Sequence, residues 1–97
     1  MSIRKNALKN YLLSLQIYQS EKDSTYIGSI YNSLGLLYSI MNRNNTAIDY
    51  IFKSLKINIL IKDTLDIADK YSSLGSMYSY LGNQYKAVYY FKKTLEF

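Results

Sequence analysis

The sequence predicts an all-α protein built from antiparallel helix pairs that stack on one another, and three observations predict it. The pattern Y-x-x-L-G-x-x-Y at residues 31–38 returns at residues 71–78, forty positions later. Residues 23–57 aligned with residues 63–97 share 12 identities in 35 positions. In each segment, apolar and small residues recur with the spacing of one helical face rather than with the alternation of a strand. A fixed internal period of this length is typical of stacked helical repeats.

Five helices are expected, at about residues 3–19, 24–41, 46–61, 64–81 and 85–97. The first belongs to the repeat because Ala7 and Leu15 lie forty residues before Ala47 and Leu55. It therefore corresponds to the third helix, and it is the second half of a partial repeat.

Two stripes of residues define the remaining four helices. In the second helix the stripe is Ile27, Tyr31, Leu34, Gly35 and Tyr38. In the third helix it is Ala47, Ile51, Ser54, Leu55 and Asn58. The fourth and fifth helices repeat these stripes forty residues later. The chain is therefore one domain, residues 1–97, in which residues 1–22 are the second helix of a partial repeat, 23–62 a full repeat and 63–97 a repeat truncated at its end.

Helix ends and turns agree with this division. Asp23 and Asp63 each precede a helical run and are candidate N-caps. The asparagine-rich residues 42–45 and the pair Gly82-Asn83 stand where tight turns between helices are needed. Gly82 suits the position after a helix end, since glycine adopts the left-handed conformation at little steric cost.

Gly35 and Gly75 lie in the middle of helices, where glycine is less favourable than alanine by roughly 1 kcal/mol. A repeated glycine there indicates a close approach of a second helix. We therefore expect both glycines to be buried against the second helix of their own repeat. The small residues Ala47 and Ala87 on that helix favour the same contact.

These residues resemble the tetratricopeptide repeat, whose signature is W-x-x-L-G-x-x-Y, then A-x-x-x-F and a closing Pro. Tyr31 and Tyr71 replace the Trp, Ile51 and Phe91 fill the Phe position, and Ile59 stands where the Pro would be. The period of forty exceeds the usual 34 residues, so the chain looks like the longer variant of kinesin light chains, spindle-orientation adaptors and bacterial sensor kinases and regulators. The resemblance implies a right-handed superhelical solenoid whose concave face holds a peptide or a partner helix.

The resemblance also names a candidate binding face on the second and fourth helices, opposite the buried stripes. Most of its side chains are small and hydroxyl-bearing, with a few apolar anchors. Its residues are Ser29, Asn32, Ser33, Leu36, Ser39, Ile40, Asp69, Ser72, Ser73, Ser76, Ser79 and Tyr80. Because none of them is Lys or Arg, the carboxylate clamp of the chaperone-tail-binding members is not carried over. The alternative is that this face is idle and that binding occurs elsewhere in a longer array.

Catalysis is not expected from this composition. The chain has no His and no Cys, which removes the commonest general base, the thiol nucleophile and Cys/His zinc sites. The nearest group of carboxylates is Asp63, Asp66 and Asp69, which we interpret as acids at the start of a helix rather than as a calcium or acid–base site. The sequence therefore predicts no enzyme, no cofactor and no metal site.

The net charge of +5 comes mainly from the first, third and fifth helices. The basic residues there are Arg4, Lys5, Lys9, Lys53, Lys56, Lys86, Lys92 and Lys93. We interpret them as a solvated convex surface; the alternative is contact with nucleic acid or acidic lipid. No block of five like charges occurs, which favours the first interpretation.

Four tyrosines, Tyr31, Tyr38, Tyr71 and Tyr78, are expected in the core. Tyr80, Tyr85, Tyr89 and Tyr90 lie outside the signature, and some of these are expected to form a stacking surface for a next repeat or a partner contact.

Three functions remain open from the sequence: a protein–protein interaction module of a larger bacterial signalling protein, a nucleic-acid binder, and a structural spacer. The start of the chain inside a repeat predicts a fragment of something longer. Without a membrane span or signal peptide, we expect a soluble protein, cytoplasmic or, within a sensor kinase, periplasmic. Uncapped terminal helices predict self-association at high concentration.

Overall fold

The computed structural model describes residues 2–21 and 24–97, and within them the chain forms five α-helices and no strand. They are α1 (Ser2–Glu21), α2 (Ser24–Ile40), α3 (Asn44–Leu60), α4 (Thr64–Tyr80) and α5 (Gln84–Thr94). Among these helices, each packs only against its neighbours in sequence. The result is a flat stack that measures 36 × 33 × 14 Å. Contact limited to adjacent elements is the property of a helical-repeat array.

The turns between α2 and α5 share one backbone geometry. Each contains a residue with positive φ, and these residues are Asn42 (60°), Lys62 (59°) and Gly82 (83°). The N–H of Gly82 donates to Ser79 O at 3.0 Å and that of Asn83 to Tyr78 O at 2.9 Å. The equivalent two bonds close the turns at Asn42 and Lys62. This is the Schellman arrangement, which satisfies the last carbonyls of a helix.

The observed helix ends differ from the predicted ones by a few residues. α3 begins at Asn44, two residues earlier than expected, because the asparagine cluster extends into the first helical turn. α5 ends at Thr94 rather than at residue 97, and the last residues continue as a tighter turn. Asp63 caps α4 as predicted, since its side chain accepts a hydrogen bond from Asp66 N at 3.1 Å. The N-cap prediction at Asp23 lies outside the described residues.

The core lies around α3, which contacts both α2 and α4. Leu34 of α2, Ile51 of α3 and Leu74 of α4 are fully buried. Ile48, Leu55 and Ile67 complete a cluster that joins α3 to α4. Since the apolar stripes come from consecutive helices, the core runs through the stack instead of closing around one centre.

The two mid-helix glycines are contact points, which confirms the prediction. Gly35 is buried against α3: a Cβ built on it would lie 2.6 Å from Ile51 Cδ1. Gly75 is buried against α5, where a Cβ would lie 2.7 Å from Phe91 Cδ1. A third glycine, Gly28, which the sequence did not single out, makes the same kind of contact with Ile57 of α3.

Each helix pair also contains a group of three tyrosines. In the first pair, Tyr50 of α3 lies 5.5 Å from Tyr38 and 6.0 Å from Tyr31, measured between ring centroids. In the second pair, Tyr90 lies 5.6 Å from Tyr78 and 6.2 Å from Tyr71. The four tyrosines that the sequence predicts in the core, Tyr31, Tyr38, Tyr71 and Tyr78, are partly buried rather than fully buried.

Tyr90 therefore packs within its own repeat, where it is part of the core of the second pair. The expectation that some tyrosines outside the signature form a stacking surface or a partner contact therefore does not extend to Tyr90, whose ring packs on Tyr71 and Tyr78. Tyr80, Tyr85 and Tyr89 are exposed.

Candidate partner-binding groove

The face shared by α2 and α4 forms a groove, which we call the α2–α4 groove. The two helices do not pack directly against each other, since α3 contacts both and lies between them. At each end of the groove a cleft is lined by residues of both α2 and α4. The groove therefore has α2 and α4 as walls and part of α3 as its floor.

All twelve predicted site residues are at least partly exposed. Ser29, Leu36, Ile40, Asp69, Ser76 and Tyr80 are exposed, whereas Asn32, Ser33, Ser39, Ser72, Ser73 and Ser79 are half-buried. Tyr80 is the most prominent large side chain among them, with 73% of its surface accessible. The prediction that these residues line one functional surface remains a prediction, but the structure leaves all of them accessible to a partner.

The groove contains two clefts. The N-terminal cleft, about 310 Å³, lies between the starts of α2 and α4 and the end of α3. The C-terminal cleft, about 320 Å³, includes Ser39, Ser76 and Tyr80. Ser72, Ser73 and Ser79 line neither cleft.

Two of the expected apolar anchors belong to a different cleft. Leu36 and Ile40 lie beside Ala7 and Tyr11 of α1, in a cleft of about 210 Å³ between α1 and α2. Helix α1 contacts α2, and the two side chains border this contact. A peptide that contacts Leu36 and Tyr80 at once must therefore cross α2.

The N-terminal cleft is polar and carries most of the charge in the groove. Asp63, Asp66 and Asp69 supply three carboxylates, and Lys70 supplies one ammonium. Lys70 Nζ lies 3.4 Å from Asp69 Oδ2. Lys70 is buried, with 4% of its surface exposed, whereas the Asp69 side chain is largely exposed. No group of three or more potential ligands among the described residues is arranged to hold a metal ion.

Three buried polar side chains in this cleft were not singled out from the sequence as site residues. Ser54 Oγ donates a hydrogen bond to the carbonyl of Gly28 at 2.9 Å, which ties α3 to α2. Asn58 has 5% of its surface exposed, and its Oδ1 has no hydrogen-bond partner within the described part of the chain. Lys70 is the third. The repeat alignment could have identified Lys70 as unusual, because it stands forty residues after Ile30, an apolar core residue.

The basic residues of α3 and α5 contact aromatic rings. Lys53 Nζ lies 5.1 Å from the ring centroid of Tyr50, and Lys86 Nζ lies 5.1 Å from that of Tyr78. Lys93 lies over Tyr89 at 5.6 Å. These distances are those of cation–π contacts. Part of the positive charge therefore has a local structural role.

Burial raises the pKa of the Tyr50 hydroxyl above its ordinary value, and the neighbouring Tyr38 and Tyr31 raise it further. The pKa of Tyr90 is raised for the same reasons, with Tyr78, Tyr89 and Tyr71 as its neighbours. Both hydroxyls are thus neutral at physiological pH, and neither adds negative charge beside the lysines.

Among solved structures, the chain is similar to the tetratricopeptide-repeat (TPR) domain of FLU from Arabidopsis. The TM-score is 0.85 at 22% sequence identity, over 96% of this chain and 78% of that one. The chain has the tetratricopeptide-repeat fold. The predicted all-α helical-repeat class is therefore confirmed. The sequence matches no protein-family model and no curated protein.

The forty-residue period of the sequence relates the pair α2–α3 to the pair α4–α5, and α1 packs on α2 of the first pair. The five helices are amphipathic elements of a stack. Within residues 2–21 and 24–97, no helix has the length and apolarity of a membrane span. The α2–α4 groove lies on the first helices of the two repeats, where the resemblance to the family had placed a concave binding face.

Proposed function

We propose that this chain is a non-catalytic scaffold that binds a peptide or a helix of a protein partner in the α2–α4 groove, as part of a larger bacterial signalling or regulatory protein. The observation that carries the proposal is the contrast between the two faces of α2 and α4. One face packs against α3 and contains the fully buried Leu34 and Leu74. The other face presents small hydroxyl side chains and the exposed Tyr80 on helices that this packing holds in place.

A groove of this kind suits a protein ligand. Preorganised helices reduce the entropy lost on binding, and exposed tyrosines are frequent anchors at interfaces. Small serine side chains let a peptide main chain approach the helix backbone closely. The absence of His and Cys from the sequence supports a role in binding rather than catalysis.

Selection from a displayed library of random peptides tests the proposal. We expect selected peptides to lose at least tenfold in affinity when Ser76→Arg, an exposed groove position, introduces a large cation. The matched control is Thr46→Arg on α3, an exposed position outside the groove clefts. Peptides equally sensitive to both variants, or to neither, would place binding outside the groove.

The basic surface motivates a second candidate, binding of nucleic acid. The net charge of +5 and the lysines of α3 and α5 favour it. Salt separates the two functions, because phosphate contacts release counterions and their affinity falls steeply as salt rises. The N-terminal cleft of the groove contains three aspartates and one lysine, so it offers no basic surface for phosphate contacts, and peptide binding there should depend less steeply on salt. Titration of a fluorescent single-stranded oligonucleotide at low and high salt decides whether this surface binds nucleic acid.

We also propose that the chain self-associates at high concentration. Val88 of α5 and Leu95, just beyond the end of α5, are apolar and exposed, and Val88 lies in a shallow cleft that includes Tyr85 and Tyr89. Exposed apolar surface of this kind favours contact with another molecule. Light scattering at rising concentration is the measurement. A strict monomer at millimolar concentration would contradict the proposal.

A further inference from the structure

The most unusual side chain in the N-terminal cleft is the buried Lys70. Its repeat equivalent, Ile30, is also buried, with 8% of its surface exposed compared with 4% for Lys70. The same place in the fold therefore accepts an aliphatic side chain. A buried ammonium is costly unless it is well paired. Among the described residues its ion pair is one contact of 3.4 Å with the exposed carboxylate of Asp69. Packing alone does not account for a lysine here.

The second unusual group in this cleft is the amide of Asn58. Its Oδ1 is buried and has no partner among the described residues, although buried polar groups in folded proteins are nearly always hydrogen-bonded. The nearby Ser54, by contrast, is satisfied through the carbonyl of Gly28. The cleft thus contains an unused acceptor on Asn58. It also contains the Lys70 ammonium, which has three N–H donors but only one ion-pair contact among the described residues.

We infer that the N-terminal cleft binds the main chain of a basic peptide, an inference that rests on the proposed function and adds the ligand's chemistry. A peptide group carries an acceptor and a donor side by side. Its carbonyl accepts a hydrogen bond from the Lys70 ammonium, and an N–H donates to Asn58 Oδ1. A free carboxylate satisfies Lys70 alone, because it has no donor for Asn58.

Charge in the same cleft sets the preference for a basic sequence. Asp63, Asp66 and Asp69 outnumber Lys70 by three charges to one. A lysine or arginine of the peptide is therefore attracted to the rim, whereas an acidic side chain is repelled. The volume of about 310 Å³ suits a short segment, since it lies at the small end of the range for ligand sites.

The test uses a defined probe, the blocked tripeptide alanine-lysine-alanine, titrated into the isotope-labelled chain and followed by NMR. We expect saturable shifts of the Asn58 side-chain amide at millimolar concentration. Lys70→Ile, which copies the residue of the first repeat, should weaken binding about tenfold while the melting temperature stays the same or rises. Lys56→Ile, at an exposed lysine of α3, is the matched control and should leave binding unchanged.

A second variant and a second probe complete the design. Asn58→Leu should remove the tripeptide shifts seen for the amides of α4. The second probe is the blocked tripeptide alanine-glutamate-alanine, which should bind more weakly than the lysine tripeptide. The inference is overturned if Lys70→Ile lowers the melting temperature and leaves binding intact, since Lys70 is then structural. It is also overturned if both tripeptides bind equally, or if neither gives saturable shifts.

Failure here is distinguishable from failure of the proposed function. Peptides selected by display that remain sensitive to Ser76→Arg would preserve the groove as a binding surface while the N-terminal cleft loses its assigned ligand. If the lysine tripeptide binds but no selected peptide is sensitive to Ser76→Arg, the cleft is a small-ligand site and the extended groove is not a partner surface.

Discussion

The helices α3 and α5 occupy equivalent places in the two repeats, yet α3 buries many more residues of the shared face than α5 does. α3 lies between α2 and α4, and its buried residues are Ala47, Ile48, Ile51, Ser54, Leu55 and Asn58. α5 contacts α4 alone among the described helices, and Ala87 is its buried residue. Both helices carry the same stripe in the sequence, but α5 ends at Thr94 and has only one covering helix among the described ones. The stripe predicts which face of a helix can be covered, whereas the next helix in the stack determines whether it is covered.

Leu55 and Leu95 provide the sharpest version of this comparison, because they are the same residue forty positions apart. Leu55 has 5% of its surface exposed and Leu95 has 85%. Leu55→Ala should destabilise the fold by roughly 2–5 kcal/mol, since it removes buried methyl groups and leaves a cavity. Leu95→Ala should change stability by no more than about 0.5 kcal/mol. Urea denaturation of both variants measures the difference, and equal losses would contradict the observed burial of the two faces.

The two mid-helix glycines extend the comparison to overpacking. Gly35→Leu forces a side chain against Ile51 of α3, a helix that packs against both α2 and α4. A Cβ on residue 35 also lies 3.2 Å from the carbonyl oxygen of Ala47. We expect a loss of about 3 kcal/mol. Gly75→Leu meets the ring of Phe91, which is partly exposed on α5 and has room to move, so the loss should be nearer 1 kcal/mol.

Thermal unfolding of both glycine variants is the measurement. Ser76→Leu, at the exposed position beside Gly75, is the control for the effect of a leucine on helix stability alone. An unchanged melting temperature for Gly35→Leu would mean that this glycine is not at a helix contact.

Alkaline pH should destabilise the fold through the two groups of tyrosines. The pKa values of Tyr50 and Tyr90 are raised in the folded state from the ordinary value of 10.0, first by burial and then by neighbouring tyrosines. Their neutral forms therefore stabilise the fold fully below that pH, and this contribution is lost as the pH rises through the folded pKa. The melting temperature should fall between neutral pH and about pH 11.

Phenylalanine variants isolate this effect. Tyr50→Phe and Tyr90→Phe, which cannot ionise, should each reduce the fall in melting temperature at alkaline pH. Tyr80→Phe is the control, because Tyr80 is exposed and lies outside both groups. An identical fall for Tyr50→Phe, Tyr80→Phe and the unmodified chain would show that ionisation of Tyr50 does not drive alkaline unfolding.

Periodicity in the sequence was sufficient to predict the helices and the glycine contacts. Gly35, Gly75 and the signature tyrosines recur at one spacing, and such recurrence reports a shared helical face. The features of the N-terminal cleft depend instead on departures from the repeat. Lys70 replaces Ile30, and Asn58 becomes a cleft residue because the end of α3 faces the starts of α2 and α4.

The division of the groove into separate clefts was not predictable from the stripes. Leu36 and Ile40 were assigned correctly to the exposed face of α2, but periodicity does not state which neighbouring helix lies beside that face. The position of α1 brings them into the α1–α2 cleft. The packing of α1 on α2, which the forty-residue period does not specify, determines that Leu36 and Ile40 line this cleft.

The smallest expected effect concerns the turns, where the three links between α2 and α5 adopt one geometry with three different residues. Lys62 has a φ of 59°, in the left-handed region that Cβ-bearing residues adopt at an energetic cost, whereas Gly82 has the same geometry without a Cβ. Lys62→Gly should therefore stabilise the fold by about 0.5 kcal/mol, the relief of strain being partly offset by the greater freedom of glycine in the unfolded chain. Gly82→Ala should destabilise by a similar amount, and Asn42→Gly should change least, because asparagine tolerates this conformation better than lysine. Chemical denaturation of the three variants measures the order, and a loss of stability in Lys62→Gly would mean that the lysine side chain makes a compensating interaction at the turn.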